Sequence, residues 1–471
     1  MINDYLAQQI KGNFPYRPTQ EQEKVIKSLS YFLMRPENDL IYVLKGYAGT
    51  GKTSLMAALV RALDAMKIKT VLLAPTGRAA KVFSAYSHHP AFTIHKKIYR
   101  QKSVAQDSVF QLADNLTKDT LYIVDEASMI SNAPAYDSPF GSGRLLDDLV
   151  KYVYTGERCR LLLLGDTAQL PPVGEECGAA LSRDALEGYG LEVMEDTLKT
   201  VVRQMETSGI LWNATRLREM IDRDECFSLP RMRLSGFSDI QVVHGSELIE
   251  RLQECYDRDG QDQTTVVCRS NKRANIYNNG IRNQILWREE ELESGDMLMM
   301  AKNNYFWLQD RSKTDFIANG ETAIVRRVNG DEQLYGFRFA NVTLTFPDHQ
   351  DDEVDAMILL DTLHSESSSL TRDESNRLFN GVLADYAHLT RKAERMKQLK
   401  ADKHYNALQV KYAYAVTCHK SQGGQWKNVF IDQGYMAEEY LTPDFFHWLY
   451  TALTRATGTV YLVNYPEDRV E

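Results

Sequence analysis

Gly46-Tyr47-Ala48-Gly49-Thr50-Gly51-Lys52-Thr53 decides how this chain is read. The octapeptide follows an apolar run, Leu40 to Leu44, and precedes a stretch with helical character from Ser54 to Ala65. Strand, glycine-rich loop and helix in that order make the setting that a phosphate-cradling loop needs. Gly46, Gly49 and Gly51 let the backbone curl until several N–H groups, that of Thr50 among them, point inward. The helix N-terminus adds its partial positive charge. Lys52 then supplies a point charge for the β- and γ-phosphates, and the Thr53 hydroxyl a ligand for Mg2+. The stretch predicts a nucleoside triphosphate site.

Other segments gather around that loop. Leu121 to Val124 is an apolar strand that ends in Asp125-Glu126. Carboxylates at such a strand end suit two tasks: Asp125 holds the Mg2+ hydration shell, and Glu126 orients and deprotonates the water attacking the γ-phosphate. A further strand, Arg160 to Leu164, leads into Gly165-Asp166-Thr167-Ala168-Gln169-Leu170-Pro171-Pro172. Gln169 is placed there to touch the γ-phosphate, and the two prolines stiffen the loop into a lever. Upstream, Thr19 and Gln22 have capping-box spacing at the start of an amphipathic helix. Gln22 is read either as that cap or as an amide for the adenine edge.

Composition sets bounds. A length of 471 residues has room for about three domains. The 43% hydrophobic and 10% aromatic content is that of a globular chain. Apolar runs such as Leu161 to Leu164 are far short of a membrane span. The start, Met1-Ile2-Asn3-Asp4-Tyr5, lacks the pattern of a secretion signal. The six cysteines are scattered without a Cys-x-x-Cys pair, which argues against structural zinc or a disulfide framework. A reduced, cytoplasmic setting with no membrane partner is expected. A net charge of −9 argues against one large basic face but leaves room for local cation clusters in a groove.

In chain order, Pro75-Thr76-Gly77-Arg78 follows a short buried strand, which puts Thr76 and Arg78 at the edge where parallel sheets bind ligands. Phe92-Thr93-Ile94-His95 comes next, and residues 98–118 read as a small hairpin. Asp196 to Asp224 reads as helical and contains Arg203. Thr265 to Cys268 and then Arg269-Ser270-Asn271-Lys272-Arg273 open a second α/β unit. Between 295 and 365, Asn319-Gly320 and Asn329-Gly330 punctuate alternating runs and predict hairpins of a small antiparallel barrel. Residues 365–403 are strongly charged and read as a solvated helix over 373–399. α/β character returns with Val410 to Trp426, and a last helix, Phe445 to Ala456, carries Tyr450-Thr451-Ala452-Leu453-Thr454-Arg455.

Taken in order, Gly46–Thr53, Ala74–Ala80, Asp125–Met129, Gly165–Val173, Arg203-Gln204, Thr417–Trp426 and Tyr450–Arg455 resemble the superfamily 1 helicases, in the branch that contains the RecD subunit and the phage helicase Dda. The resemblance implies an α/β fold of two RecA-like P-loop NTPase domains with a small β-barrel insert and a small hairpin insert. The expected division is 1–195 for the first domain (hairpin about 88–118), 196–294 with 406–471 for the second, and 295–405 for the barrel with its charged helical segment. It implies ATP and Mg2+, movement along single-stranded DNA in the 5′-to-3′ direction, and action at single-strand/duplex junctions. Arg203 and Arg455 are expected to reach the γ-phosphate across the cleft. Thr76, Arg78, His95, Asn271, Thr417, His419 and Lys420 are expected along the DNA, with Phe110 as a wedge in a strand-separating pin. Gln425 stands where these enzymes usually carry Glu at a ribose contact. The P-loop begins at residue 46 without a RecD-type N-terminal region, which favours a stand-alone enzyme. A DNA-stimulated ATPase that remodels protein–DNA complexes is the rival reading, and RNA stays open as a track.

Overall fold

The computed structural model describes residues 2–101, 110–134, 140–175, 178–201, 207–308, 317–347, 352–436, 439 and 441–471. The first sheet is built from β1 (Leu40–Gly46), β2 (Lys69–Ala74), β3 (Ala91–Thr93), β6 (Thr120–Val124), β7 (Arg160–Gly165) and β8 (Glu192–Leu198), in the order β3-β2-β6-β7-β1-β8. All of its pairings are parallel. β6 is buried throughout and β1 nearly so, as befits strands covered by helices on both faces. Every motif that follows a strand therefore emerges at the same C-terminal edge: the phosphate loop after β1, Thr76 after β2, Asp125 after β6 and Asp166 after β7. Between β3 and β6, β4 (Tyr99–Gln101) and β5 (Phe110–Leu112) form the base of an antiparallel hairpin.

The second sheet contains β9 (Ile240–Val243), β10 (Thr264–Cys268), β16 (Ala415–Thr417), β17 (Trp426–Asp432) and β18 (Ala456–Val463), ordered β16-β10-β17-β18-β9 and again parallel. The helices Gly209–Asp222 and Pro443–Leu453 pack on each other. One hydrophobic cluster crosses the cleft: Tyr47, Ala168 and Leu170 of the first domain pack among Leu217, Phe446, Leu449 and Tyr450.

Between the halves of the second sheet stands a closed barrel of β11 (Met297–Met300), β12 (Thr322–Leu334), β13 (Phe337–Phe346), β14 (Asp352–Leu359) and β15 (Leu408–Tyr412). It shares its core with the second domain, since Leu298, Val410 and Tyr412 cluster with Val266, Phe430 and Tyr461. Asp296 anchors the barrel's entry: fully buried, it accepts from Arg282 at 2.9 and 3.0 Å, from Arg288 at 2.6 Å and from the Tyr414 hydroxyl at 3.1 Å.

Several expectations are corrected here. β8 remains in the first sheet to Leu198, pairing with Gly46, beyond the expected boundary at 195. The barrel is closed by Leu408–Tyr412, past residue 405, and that strand runs parallel to β14 while antiparallel to β11, so the barrel is not purely antiparallel. Asn329-Gly330 lies within β12 at a register shift, and the chain reverses at Tyr335-Gly336. The charged segment is two helices, Arg372–Asp385 and Lys392–Ala401. They are not wholly solvated, because Leu378, Val382 and Leu399 pack on Phe337, Phe339, Met357 and Leu359 of the barrel. Among the described residues no helix is long and apolar enough to cross a membrane.

Candidate nucleotide cleft and nucleic-acid groove

Gly49 and Gly51 take φ of +75° and +83°, values that a side chain would resist, and so the loop curls as its sequence predicts. A Cβ on Gly46 would lie 2.9 Å from the Lys52 side chain. Lys52 Nζ sits in the concavity and donates to the carbonyls of Gly46 and, at 2.9 Å, Tyr47. The Thr50 hydroxyl is engaged inside the loop with the Tyr47 carbonyl at 2.8 Å. Thr53 opens the helix Lys52–Ala65, whose N-cap Gly51 leaves the first-turn N–H groups uncapped by a side chain, the arrangement that favours an anion.

Gln22 is buried, and both ends of its amide are engaged. Its Oε1 accepts from Thr19 N–H at 3.0 Å, completing the capping box, and its Nε2 donates to the Thr50 carbonyl at 3.0 Å. This corrects the adenine-edge reading: Gln22 holds the phosphate loop to the first helix turn rather than presenting its amide to a base.

Asp125 and Glu126 stand half-buried at the end of β6. Burial, reinforced by the neighbouring Glu126, pushes the Asp125 carboxyl up to about 6, while Lys52 pulls it back. Glu126 takes φ of +52°, a left-handed conformation that costs about 1–3 kcal/mol for a residue with a Cβ and is typical of functional sites. The oxygen donors Thr53 and Asp125 suit Mg2+, which takes one or two protein oxygens and completes its octahedron with phosphate and water. A carboxylate disfavoured as a lone anion is one that a divalent cation would relieve. No group of three or more His, Cys, Asp or Glu among the described residues could hold a metal by itself.

The loop after β7 is gripped by the second domain. Asp166 accepts from the Tyr450 hydroxyl at 2.7 Å, and that hydroxyl accepts from the Ala48 N–H of the phosphate loop at 2.9 Å. The Ala168 carbonyl meets His447 Nδ1 at 2.9 Å. Leu170 N–H donates to Thr451 Oγ1 and the Leu170 carbonyl accepts from Gln422 Nε2, both at 2.8 Å. Gln169, between these anchors, is buried, and its Oε1 has no hydrogen-bond partner among the described residues.

A groove of about 710 Å³ runs between the two domains and the barrel, and its lining includes Thr76, Arg78, His95, Asn271, Thr417, His419 and Lys420. All seven residues expected along the DNA are thus brought together. Arg269, Lys272 and, from the barrel, Asn303 and Asn319 line it too; sequence reasoning did not assign them. Burial pushes Lys420 down to about 8 and His95 down to about 4. The His95 ring packs edge-on against Phe140 with centroids 4.8 Å apart, so near neutral pH it faces the groove uncharged.

Other expected residues stand differently. Arg455 is buried in the second domain, where its Nε donates to the Thr451 carbonyl at 3.1 Å and its Nη1 to Gly424 at 3.4 Å. Its guanidinium is therefore held by its own domain; Tyr450, on the preceding helix, touches the loop through Ala48, and Arg218 and Asp222 touch it through Tyr47. Arg203 lies outside the described residues. Gln425 is exposed, and its carbonyl accepts from Arg78 at 3.4 Å. Phe110 is at the base of the hairpin, stacked on Phe140 at 4.9 Å and against Tyr305 of the insert at 4.5 Å. A ring held on two sides is an anchor, which corrects its reading as a free wedge; residues 102–109 of the hairpin lie outside the described residues.

Residues 19–222 match the family model described as an AAA domain, and residues 412–463 match that of the UvrD-like helicase C-terminal domain. The two matches, one in each sheet-bearing half of the chain, support a superfamily 1 helicase. The same matches support an ATP-hydrolysing DNA helicase. The helicase is 32% identical over 133 residues to an ATP-dependent RecD2 DNA helicase of Deinococcus radiodurans, a match covering 28% of this chain and 16% of that protein. An uncharacterised protein of Acanthamoeba polyphaga mimivirus is 21% identical over 506 residues, covering 93% of this chain and 98% of its own length. A solved structure of Pif1 helicase from Bacteroides, in complex with ADP-AlF3 and ssDNA, is 15% identical with a TM-score of 0.47, covering 95% of this chain and 92% of that one.

Proposed function

We propose that this helicase couples Mg2+-dependent ATP hydrolysis in the cleft to 5′-to-3′ movement along single-stranded DNA, opening duplex at a junction. The observation that carries the reading is the groove, because its wall is composite: Thr76 and Arg78 come from the first domain, Thr417 and Lys420 from the second. A strand held by both walls is gripped differently when the cleft opens and closes, and alternating grip converts closure into displacement. In the cleft, Lys52 and the loop amides would hold the phosphates, Thr53 and Asp125 would hold the metal, and Glu126 would take the proton of the attacking water. Gln169 is suited to report the γ-phosphate by donating its amide N–H to a phosphate oxygen, which leaves its unpartnered Oε1 to accept from the attacking water. Polarity rests on the family resemblance.

The test is ATP hydrolysis with and without oligo-dT, for wild type and Glu126→Gln, followed by strand displacement on forks with a 5′ or a 3′ tail. We expect stimulation by DNA, loss of turnover by roughly 10²–10⁴-fold in the variant, and unwinding from the 5′ tail alone. Hydrolysis indifferent to DNA would overturn the groove reading. Stimulation without displacement would leave a translocating or remodelling ATPase.

A further inference from the structure

We propose that Tyr450 is a positioning residue through which occupancy of the groove is felt at the phosphate loop. The inference rests on the reading of the groove as a single-strand site. The hydrogen bonds form a continuous series. Gln422 lines the groove and donates to the Leu170 carbonyl at 2.8 Å. Leu170 N–H donates to Thr451 at 2.8 Å. The neighbouring Tyr450 hydroxyl donates to Asp166 at 2.7 Å and accepts from Ala48 at 2.9 Å.

Three segments distant in sequence thus meet at one oxygen atom: the phosphate loop, the loop after β7 and the last helix of the second domain. Tyr450 is fully buried among Tyr47, Ala168 and Leu170. Burial raises its hydroxyl well above the usual phenol range, so it stays protonated and keeps one donor and one acceptor role. Both bonds are near ideal length, and a displacement of the helix by about an ångström breaks them. That sensitivity is what a two-position joint needs. The loop being gripped carries Gln169, whose buried Oε1 lacks a partner among the described residues and so offers an acceptor at the centre of the moving part. A core tyrosine kept only for packing needs its ring, and one partner would satisfy its hydroxyl. Two partners in separate loops of the first domain, both reached across the domain boundary from Tyr450, indicate coupling.

The experiment is a thermodynamic cycle on the full chain: the Kd for fluorescent oligo-dT by anisotropy, with and without ADP–aluminium fluoride and Mg2+. In wild type the nucleotide analogue is expected to change the Kd by about tenfold, inside the common range of coupling between sites. Tyr450→Phe keeps the ring and removes both bonds, and the factor is expected to fall to within about twofold of unity. Thr451→Val, nearly isosteric, removes the acceptor for Leu170 and is expected to do the same. The double variant should be no worse than either single one, as for residues acting as one unit. Variants that retain the wild-type factor overturn the proposal, even if their melting temperature falls, because a merely structural role would move stability and leave the factor alone. Wild type that binds no single strand overturns the groove reading and the relay together. Wild type that binds and couples, beside variants that couple equally, overturns the relay alone.

Discussion

Arg78 of the first domain stacks its guanidinium over the Trp426 ring of the second, 3.9 Å from the centroid. Gly424 makes room for the stack, since a Cβ there would lie 2.6 Å from the Trp426 ring and 2.9 Å from Arg78 Nε. The same arginine lines the groove. It therefore belongs both to the joint between domains and to the surface on which a strand would lie.

Arg78→Ala is expected to weaken oligo-dT binding by about 1–2 kcal/mol and to lower the slope of log K against log salt by about one. Arg78→Lys keeps a charge but loses the planar stack, and should lose affinity while retaining the slope. An unchanged slope in Arg78→Ala would show that this side chain meets no phosphate.

Gln22→Ala removes the reciprocal half of the capping box and the bond to Thr50. We expect a stability loss of about 1–2 kcal/mol and a raised KM for ATP. Any preference of the wild type for ATP over GTP should be unchanged in the variant. Parallel kinetics with both nucleotides check this, and loss of the preference would restore the base-reading role.

Lys420 and Lys411 are held down to about 8, each chiefly by burial and Lys411 also by Lys420. The Lys420 ammonium has no hydrogen-bond partner among the described residues. Their charge is half lost at about pH 8, well under the roughly 10.4 of a free lysine. Single-strand affinity should fall between pH 7 and 9. Fold stability should move the other way over that window, because the unfolded chain retains protons that the folded chain has released. Anisotropy titrations across pH test the first sign, and Lys420→Arg should flatten the decline.

Among the described residues Asp296 is the one acidic side chain that forms ion pairs with both Arg282 and Arg288. Asp296→Asn would leave the buried Arg282 and the partly buried Arg288 without their counter-charge, for which about 3–5 kcal/mol is the usual cost. The urea midpoint of the unit formed by barrel and second domain should drop sharply. A shift equivalent to less than about 1 kcal/mol would mean the barrel has another anchor.

Local chemistry was legible in the sequence. The phosphate loop, the Asp125-Glu126 pair and the strand-end position of Thr76 follow from short-range pattern, and the structure keeps them at one sheet edge. The seven groove residues were found through resemblance, since nothing within a few positions of His95 or Asn271 marks them. What could not be read was pairing across distance. Leu170 meets Thr451 across 281 positions, and a tyrosine on the apolar helix Pro443–Leu453 looks like any core residue until its hydroxyl's partners are known. The same limit concealed the barrel's closing strand, because β15 reaches β14 only after two intervening helices. Gln22, Phe110 and Arg455 share another cause: the sequence shows what a side chain can bond, whereas the fold decides which partner reaches it first.

The closing strand bears on how this enzyme could be taken apart. Leu408–Tyr412 completes the barrel, and only Ala413 and Tyr414 separate it from the Ala415–Thr417 strand beside the groove. Tyr414 is itself fixed to Asp296 and to the Met297 N–H at 3.0 Å. Excising 295–405 would strip this strand of both its partners and leave its edge exposed beside the sheet that positions Thr417. The insert is thus no detachable cassette: swapping or deleting it requires a cut at both ends of β15.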